Sequence, residues 1–257
     1  MRTHIAPAAL IIAGLALAPM ANAQTVYIAG THPFGGSATV TRGEANLMTG
    51  DSNAVIVQYP RQLAPLIGGM PLDQSVAQGV KNTTVHDGDT VVCVSQGCLV
   101  SNQLKGDINR INYGDPTNAS NGLLVKLGLK PASHNADIAA EYDLIADAPD
   151  YANPLSWANA VMGAAYEHNS YSKAKYDAGT TETYGTHTII KAANLPLTRP
   201  LRQLGVPKAD VDVLDKVLKP IIDSGYKRGH TNAKSNSGSV GHSGRPSHAT
   251  GSSARGR

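Results

Sequence analysis

Between residues 24 and 226, short apolar runs of strand length alternate with longer segments of helical period. Val26-Tyr27-Ile28-Ala29-Gly30 reads as a first buried strand, and Ala54 to Pro60 as a second, ended by its proline. Leu72 to Val80 is weakly helical, with Asp73 placed to cap it. Thr90 to Val94, entered from the turn Asp87-Gly88-Asp89, is the third strand, and Gln96 to Leu104 the helix that follows it. Arg110 to Tyr113 is a fourth strand closing at Gly114-Asp115-Pro116, and Ile138 to Ile145 a fifth. Leu155 to Glu167 is a helix of small and apolar residues, and Thr186 to Ala192 a further strand. Ala209 to Ile222 is an amphipathic helix with Val211, Leu214, Val217 and Leu218 at its apolar positions. Strands that are apolar throughout, separated by helices, predict an α/β fold: a mostly parallel central sheet with helices on both faces.

The two ends of the chain do not share this pattern. Arg2 and His4 precede an apolar stretch from Ile5 to Ala18, Pro19 breaks it, and Ala21-Asn22-Ala23 supplies a small-x-small cleavage pattern. Residues 1–23 are therefore expected to be a signal peptide cleaved after Ala23, with a secreted or cell-wall-associated mature chain beginning at Gln24. Residues 24–226 form the expected domain. From Lys227 to Arg257 there is no acidic residue, and six Lys/Arg and three His are spread through Ser, Gly, Asn and Thr, the composition of a disordered basic tail. The tail accounts for the net charge of +3: without its six cations and Arg2, 15 Lys/Arg face 19 Asp/Glu. A basic tail suits peripheral contact with an anionic envelope. With aromatics at 5% and no basic stripe, no nucleic acid is expected as a partner. No Cys/His cluster has metal-ligand spacing and no phosphate loop occurs, so neither metal nor cofactor is expected.

Candidate chemistry centres on Ser95. A serine between a strand and a helix, flanked as Gly-x-Ser-x-Gly, is the nucleophile elbow, in which a sharp turn lifts the hydroxyl above the sheet. Here Ser95-Gln96-Gly97 follows the strand, while Cys93 stands where the first glycine belongs. The amide of Gln96, at the helix start, then faces a developing oxyanion.

Flanking segments make the pattern more specific. Gly30-Thr31-His32-Pro33-Phe34-Gly35-Gly36, Val57-Gln58-Tyr59-Pro60, Ser95-Gln96-Gly97, Tyr113-Gly114-Asp115-Pro116 and Tyr142 to Pro149 follow one another in order. Asn159-Ala160, Glu167-His168-Asn169-Ser170-Tyr171 and Asn194-Leu195-Pro196-Leu197-Thr198-Arg199-Pro200-Leu201-Arg202 complete the series. Together they resemble the PE-PPE domain of mycobacteria and relatives, a serine α/β-hydrolase domain akin to cutinases, over roughly residues 25–226. On this reading the expected signal peptide stands where the PE or PPE helical region often precedes that domain.

The resemblance implies a nucleophile, acid and base in that chain order. Of the histidines that follow Ser95 in the domain (His134, His168 and His187), His168 holds the family's His-x-x-Tyr setting and is expected to be the base. His187 lies inside a strand, where a structural histidine is expected. The acid is Asp147 or Asp143, both toward the end of the fifth strand; Asp147 is favoured because it lies in a loop before Ala148-Pro149 and can turn toward the histidine. Asp115 reads as a turn-forming Asp-Pro. Gly30-Thr31 resembles the Gly-Ser of cutinases, so Thr31 is expected to join Gln96 in the oxyanion hole. Where the family has Gly and a small residue, this chain has Cys93 and Cys98, which suggests a disulfide stapling the strand end to the first helical turn; two buried free thiols are the other reading. The implied activity is a serine esterase or lipase acting on short- to medium-chain acyl esters through an acyl-serine intermediate. Acyl transfer to cell-envelope glycolipid hydroxyls of the trehalose type, and a non-catalytic cell-wall or lipid-binding role, are the alternatives.

Overall fold

The computed structural model describes residues 23–32, 39–132 and 135–228. The expected signal peptide up to Asn22, the Gly35-Gly36 pair, His134 and the tail beyond Arg228 lie outside the described residues. Seven strands form one sheet in the order β2-β1-β3-β4-β5-β7-β6. These are β1 (Thr25–Ile28), β2 (Val55–Ile56), β3 (Thr90–Val94), β4 (Asn109–Tyr113), β5 (Ala136–Ala140), β6 (Thr181–Tyr184) and β7 (His187–Ile190). All neighbours pair in parallel except the hairpin of β6 and β7 at one edge. The expected α/β architecture is present.

Both faces of the sheet are covered, and β1 shows how. Tyr27 and Ala29 point to one face, where they pack with Val92, Ala45 and Met48 of α1 (Arg42–Thr49). Val26 and Ile28 point to the other, against Val76 of α2 (Leu72–Asn82) and Cys98 and Val100 of α3 (Gln96–Ser101). Alternate residues of a twice-covered strand must all be apolar, which is why these strands read as continuous runs. Beyond the sheet, α5 (Pro154–Tyr166) and α8 (Lys208–Asp223) meet over Tyr142, Leu195, Ile222 and Tyr226. Among the described residues no helix is long and apolar enough to cross a membrane.

Several elements differ from the pattern reading. The fifth strand ends at Ala140 rather than Ile145, because Tyr142 takes φ 67° and the Asp143 amide turns back to the Ala140 carbonyl, 3.1 Å. Asp73 does not cap α2, whose N-cap is Pro71 without a side-chain bond; Asp73 lies two positions past the cap and instead offers its charge to the helix dipole. The helix α1 carries a readable start signal, since the N-cap Thr41 Oγ1 accepts from the Glu44 amide at 3.1 Å, while the Glu44 carboxylate turns to Tyr27 and Arg61, and Gly50 ends the helix in the left-handed region. Short α4 (Leu123–Lys126), α6 (Lys173–Ala178) and α7 (Arg199–Gln203) and the edge strand β6 lack a strong period of their own. The folded body also extends past Tyr226: Arg228, expected in the tail, is 11% exposed and packs inside.

Candidate active site

The site lies at the carboxyl ends of β1, β3, β4 and β5, the edge where an open parallel sheet presents its loops. Ser95 immediately follows β3 with φ 48° and ψ −115°, a conformation that costs about 1–3 kcal/mol and that the two flanking elements must enforce. Its amide still donates to the Tyr113 carbonyl of β4 at 2.9 Å, and its carbonyl accepts from the Cys98 amide at 2.9 Å in the first turn of α3. Gly97 is required by packing: a Cβ there would fall 2.2 Å from the Ile28 carbonyl oxygen of β1. Cys93, in the place of the first glycine, points into the layer shared with α2 and α3. Cys93 and Cys98 are joined by a disulfide with their Cα atoms 5.0 Å apart, one sulfur on each side of the serine in the chain.

His168 stands in a 3-10 turn directly after α5. Its Nε2 lies 2.8 Å from Ser95 Oγ and its Nδ1 2.7 Å from Asp143 Oδ2. Asp143, not the favoured Asp147, is the carboxylate at the histidine. The turn at Tyr142 decides this, sending Asp143 to the histidine and turning Asp147 to the opposite side of the loop. There Asp147 accepts from the Tyr142 amide at 2.8 Å and Asn121 Nδ2 at 3.0 Å, and pairs with the Arg228 guanidinium. Arg228 also bonds Glu141 Oε1 at 2.9 Å and lies over the Tyr226 and Tyr142 rings. Asp147 is thus a buried structural anion that braces the loop from behind.

Asp143 itself is fully buried and held from three directions. Its Oδ1 accepts from the Ile145 amide at 2.9 Å, and its Oδ2 from Tyr171 Oη at 2.8 Å as well as from the histidine. Tyr171 Oη accepts in turn from the Ala140 amide at 2.7 Å. Burial, then the neighbouring Asp143 charge, pushes the Tyr171 phenol well above the ordinary tyrosine range, so it remains a donor. Gly114, at φ 61° after β4, leaves the space these rings occupy: a Cβ would come 2.7 Å from Tyr171 and 3.1 Å from the His168 ring. The sequence motifs contained Tyr171 and Gly114, but nothing local assigned either a function.

The remaining histidine and aspartate readings hold in the geometry. His187 Nδ1 pairs with Asp137 Oδ2 at 2.5 Å between neighbouring buried strands, away from Ser95. Asp115 organises its turn, accepting from the Thr117 amide and from Asn112 Nδ2, both at 2.7 Å. Gln96 occupies the first position of α3, and its side chain is tied to the Gln62 carbonyl at 2.7 Å. Thr31 lines the same cavity as Ser95 and His168.

That cavity measures about 760 Å³. Leu47, Met48, Leu63, Ile67, Ile145 and Ala164 supply apolar wall, and Thr31, His32, Glu44, Arg61 and Asn169 supply polar wall. The loop after β1 is fixed by groups distant in sequence: Tyr59 Oη donates to the Ala29 carbonyl and Arg61 Nε to the Gly30 carbonyl, both at 2.6 Å, and the His32 amide donates to Arg61 O at 3.0 Å. A hydroxyl bonded to a histidine that is bonded to a buried carboxylate, opening on such a cavity, can act as a nucleophile toward an acyl carbon.

A family model described as the PE-PPE domain matches residues 50–227. The chain belongs to the PE-PPE domain family. The match takes in Ser95, Asp143 and His168, while β1, α1 and Thr31 precede it but share the sheet and cavity. Among relatives from Mycobacterium tuberculosis, the PPE family protein PPE63 is 42% identical over 100 residues, 35% of this chain and 21% of that protein. Diacyltrehalose acyltransferase Chp2 is 28% identical over 250 residues, covering 75% of this chain and 68% of its own length. SL1278 acyltransferase Chp1 is 26% identical over 273 residues, covering 87% and 65%. The chain therefore spans about a fifth of PPE63 and about two thirds of the two acyltransferases. No solved structure matches.

Proposed function

We propose that this PE-PPE protein is an exported serine acyl hydrolase or acyltransferase acting on lipid esters, with Ser95 as nucleophile, His168 as general base and acid, and Asp143 as the carboxylate that orients the histidine. The observation that carries the reading is the continuous hydrogen-bonded line from Ser95 Oγ through His168 to Asp143 Oδ2. In the first half-reaction His168 Nε2 takes the Ser95 proton as Oγ bonds to the substrate carbonyl carbon. The amides of Gln96 and Thr31 face the oxyanion, and His168 returns the proton to the leaving alcohol. In the second, water or an acceptor hydroxyl attacks the acyl-serine ester, losing its proton to His168. The tetrahedral intermediate expels Ser95 Oγ, which recovers that proton. The apolar wall of Leu47, Met48 and Ile67 suits an acyl chain.

Acyl transfer is favoured as the physiological outcome by the relatives Chp2 and Chp1, whose names give them as acyltransferases of diacyltrehalose and SL1278. The test is labelling of the purified protein by a fluorophosphonate probe, with turnover of p-nitrophenyl esters of graded chain length. Labelling and turnover that vanish in Ser95→Ala and His168→Ala support the reading; a wild type that neither labels nor turns over any ester overturns it.

A further inference from the structure

Among the described residues that line the cavity, Glu44, paired with the Arg61 cation, is an anion that the acyl chemistry does not use. Its side chain lines the same cavity as Ser95 and is 35% exposed. One oxygen, Oε1, accepts from Tyr27 Oη at 3.2 Å and lies 3.5 Å from the Arg61 guanidinium. No hydrogen bond from a described residue reaches Oε2. The carboxylate and the nucleophile open on the same cavity and are linked through Gly30 and Arg61. A Cβ on Gly30 would be 3.1 Å from Ser95 Cβ, the Gly30 carbonyl takes Arg61 Nε at 2.6 Å, and the same guanidinium reaches Glu44.

We infer that Glu44 marks a subsite for a polyhydroxylated acceptor, a carbohydrate-class alcohol, whose one hydroxyl attacks the acyl-Ser95 carbon while a second donates to Glu44 Oε2. The inference rests on the acyl-serine reading above and specifies its second substrate. Three features give the ligand its chemistry. The Glu44 charge is already matched by Arg61, so the subsite offers hydrogen-bond acceptors without calling for a cation. Thr31 and Asn169, which line the same cavity, carry further neutral hydrogen-bonding groups. The apolar positions Leu47 and Met48 follow Glu44 by three and four residues on α1, so one helix presents the polar group and, one turn later, the surface suited to the acyl chain. Anchoring a second hydroxyl turns attack by the first into an effectively intramolecular step, which is how an alcohol outcompetes water.

The experiment measures partition. The purified full chain is given p-nitrophenyl octanoate with either methyl glucoside or 1-propanol. Released p-nitrophenol counts acyl-enzyme formation, and mass spectrometry counts acylated acceptor. The wild type is expected to acylate methyl glucoside at concentrations about tenfold below those needed for propanol, and Glu44→Ala to lower the glucoside-to-propanol product ratio about tenfold, the loss of one hydrogen bond to a charged acceptor. Glu44→Gln, which keeps the volume and one acceptor oxygen, is expected to retain an intermediate ratio and decides the matter if the alanine variant does not fold. A wild type that releases p-nitrophenol but does not prefer the glucoside, or a ratio unmoved in both variants, overturns the subsite alone. A wild type that releases no p-nitrophenol overturns the acyl-serine reading and the subsite with it.

Discussion

Asp143 and Asp147 are four residues apart on one loop, yet Asp143 Oδ2 sits 2.7 Å from His168 Nδ1 while Asp147 is locked to Arg228 on the other side. The two carboxylates therefore separate by experiment. Asp143→Ala is expected to lower kcat by roughly 10³–10⁴ with little change in melting temperature, as for loss of the carboxylate of a Ser-His-Asp set. Asp147→Ala is expected instead to cost about 3 kcal/mol of stability, because it removes one carboxylate of a buried ion network and leaves Arg228 with Glu141 as its near partner. Urea denaturation and ester kinetics on the two variants check this, and a reversal of the two phenotypes would return the acid assignment to Asp147.

Tyr171 supports Asp143 through a hydroxyl whose ionisation is pushed well up by burial and by the Asp143 charge. Because the raised pKa keeps the phenol protonated, its hydrogen bond should persist through the pH at which an ordinary tyrosine ionises. The wild type is expected to show no loss of kcat/KM attributable to Tyr171 up to about pH 10, and Tyr171→Phe to lower kcat about tenfold at all pH values. A pH-rate profile of both proteins is the measurement.

Gly114 leaves the room that the His168 and Tyr171 rings fill. Gly114→Ala adds a methyl group 2.7 Å from Tyr171 and 3.1 Å from the His168 ring at a positive φ, so Tyr171 must move and the histidine beside it must give by a few tenths of an ångström. A displacement of this kind is expected to lower kcat by about 10²-fold, more than it lowers the affinity for a bound product analogue.

Arg228 is the last described residue and closes the loop that carries the acid. A chain truncated after Tyr226 is expected to lose about 3–5 kcal/mol of stability and most activity, since Asp147 would remain buried without its cation and Glu141 would keep only its lysine partners. Truncation after Arg228 is expected to leave both near wild type. Melting curves of the two truncated chains distinguish a structural Arg228 from a dispensable one.

The Cys93–Cys98 bridge closes a very short loop around the elbow. Cys93→Ala with Cys98→Ala is expected to cost about 2 kcal/mol by the chain-entropy relation. In the wild type, thiol titration in denaturant should find no free thiol before reduction and two after it.

Much of this was legible without the fold. The parallel strands and the longer helices α2, α5 and α8, the elbow at Ser95 and a histidine just after α5 follow from local periodicity and from motifs a few residues long. The Cys93–Cys98 bridge was suggested by two departures from the family pattern beside the elbow, with two free thiols as the other reading, and the structure forms the bridge. Helix α1 was legible in principle from its Thr41-x-x-Glu44 cap and went unread for want of a long apolar period.

What tertiary structure alone decided lies between residues far apart in the chain. Asp143 and Asp147 have the same chemistry and nearly the same local setting. The choice between them rests on a positive φ at Tyr142, on His168 25 residues later and on Arg228 81 residues after Asp147. The same holds for Arg61 reaching back 31 residues to Gly30, and for Glu44 reaching Tyr27 across the face of the sheet. Local sequence sets which conformations a segment favours; which buried charge meets which partner is set by packing, because an ion taken out of water is stable only where the fold supplies its counter-charge.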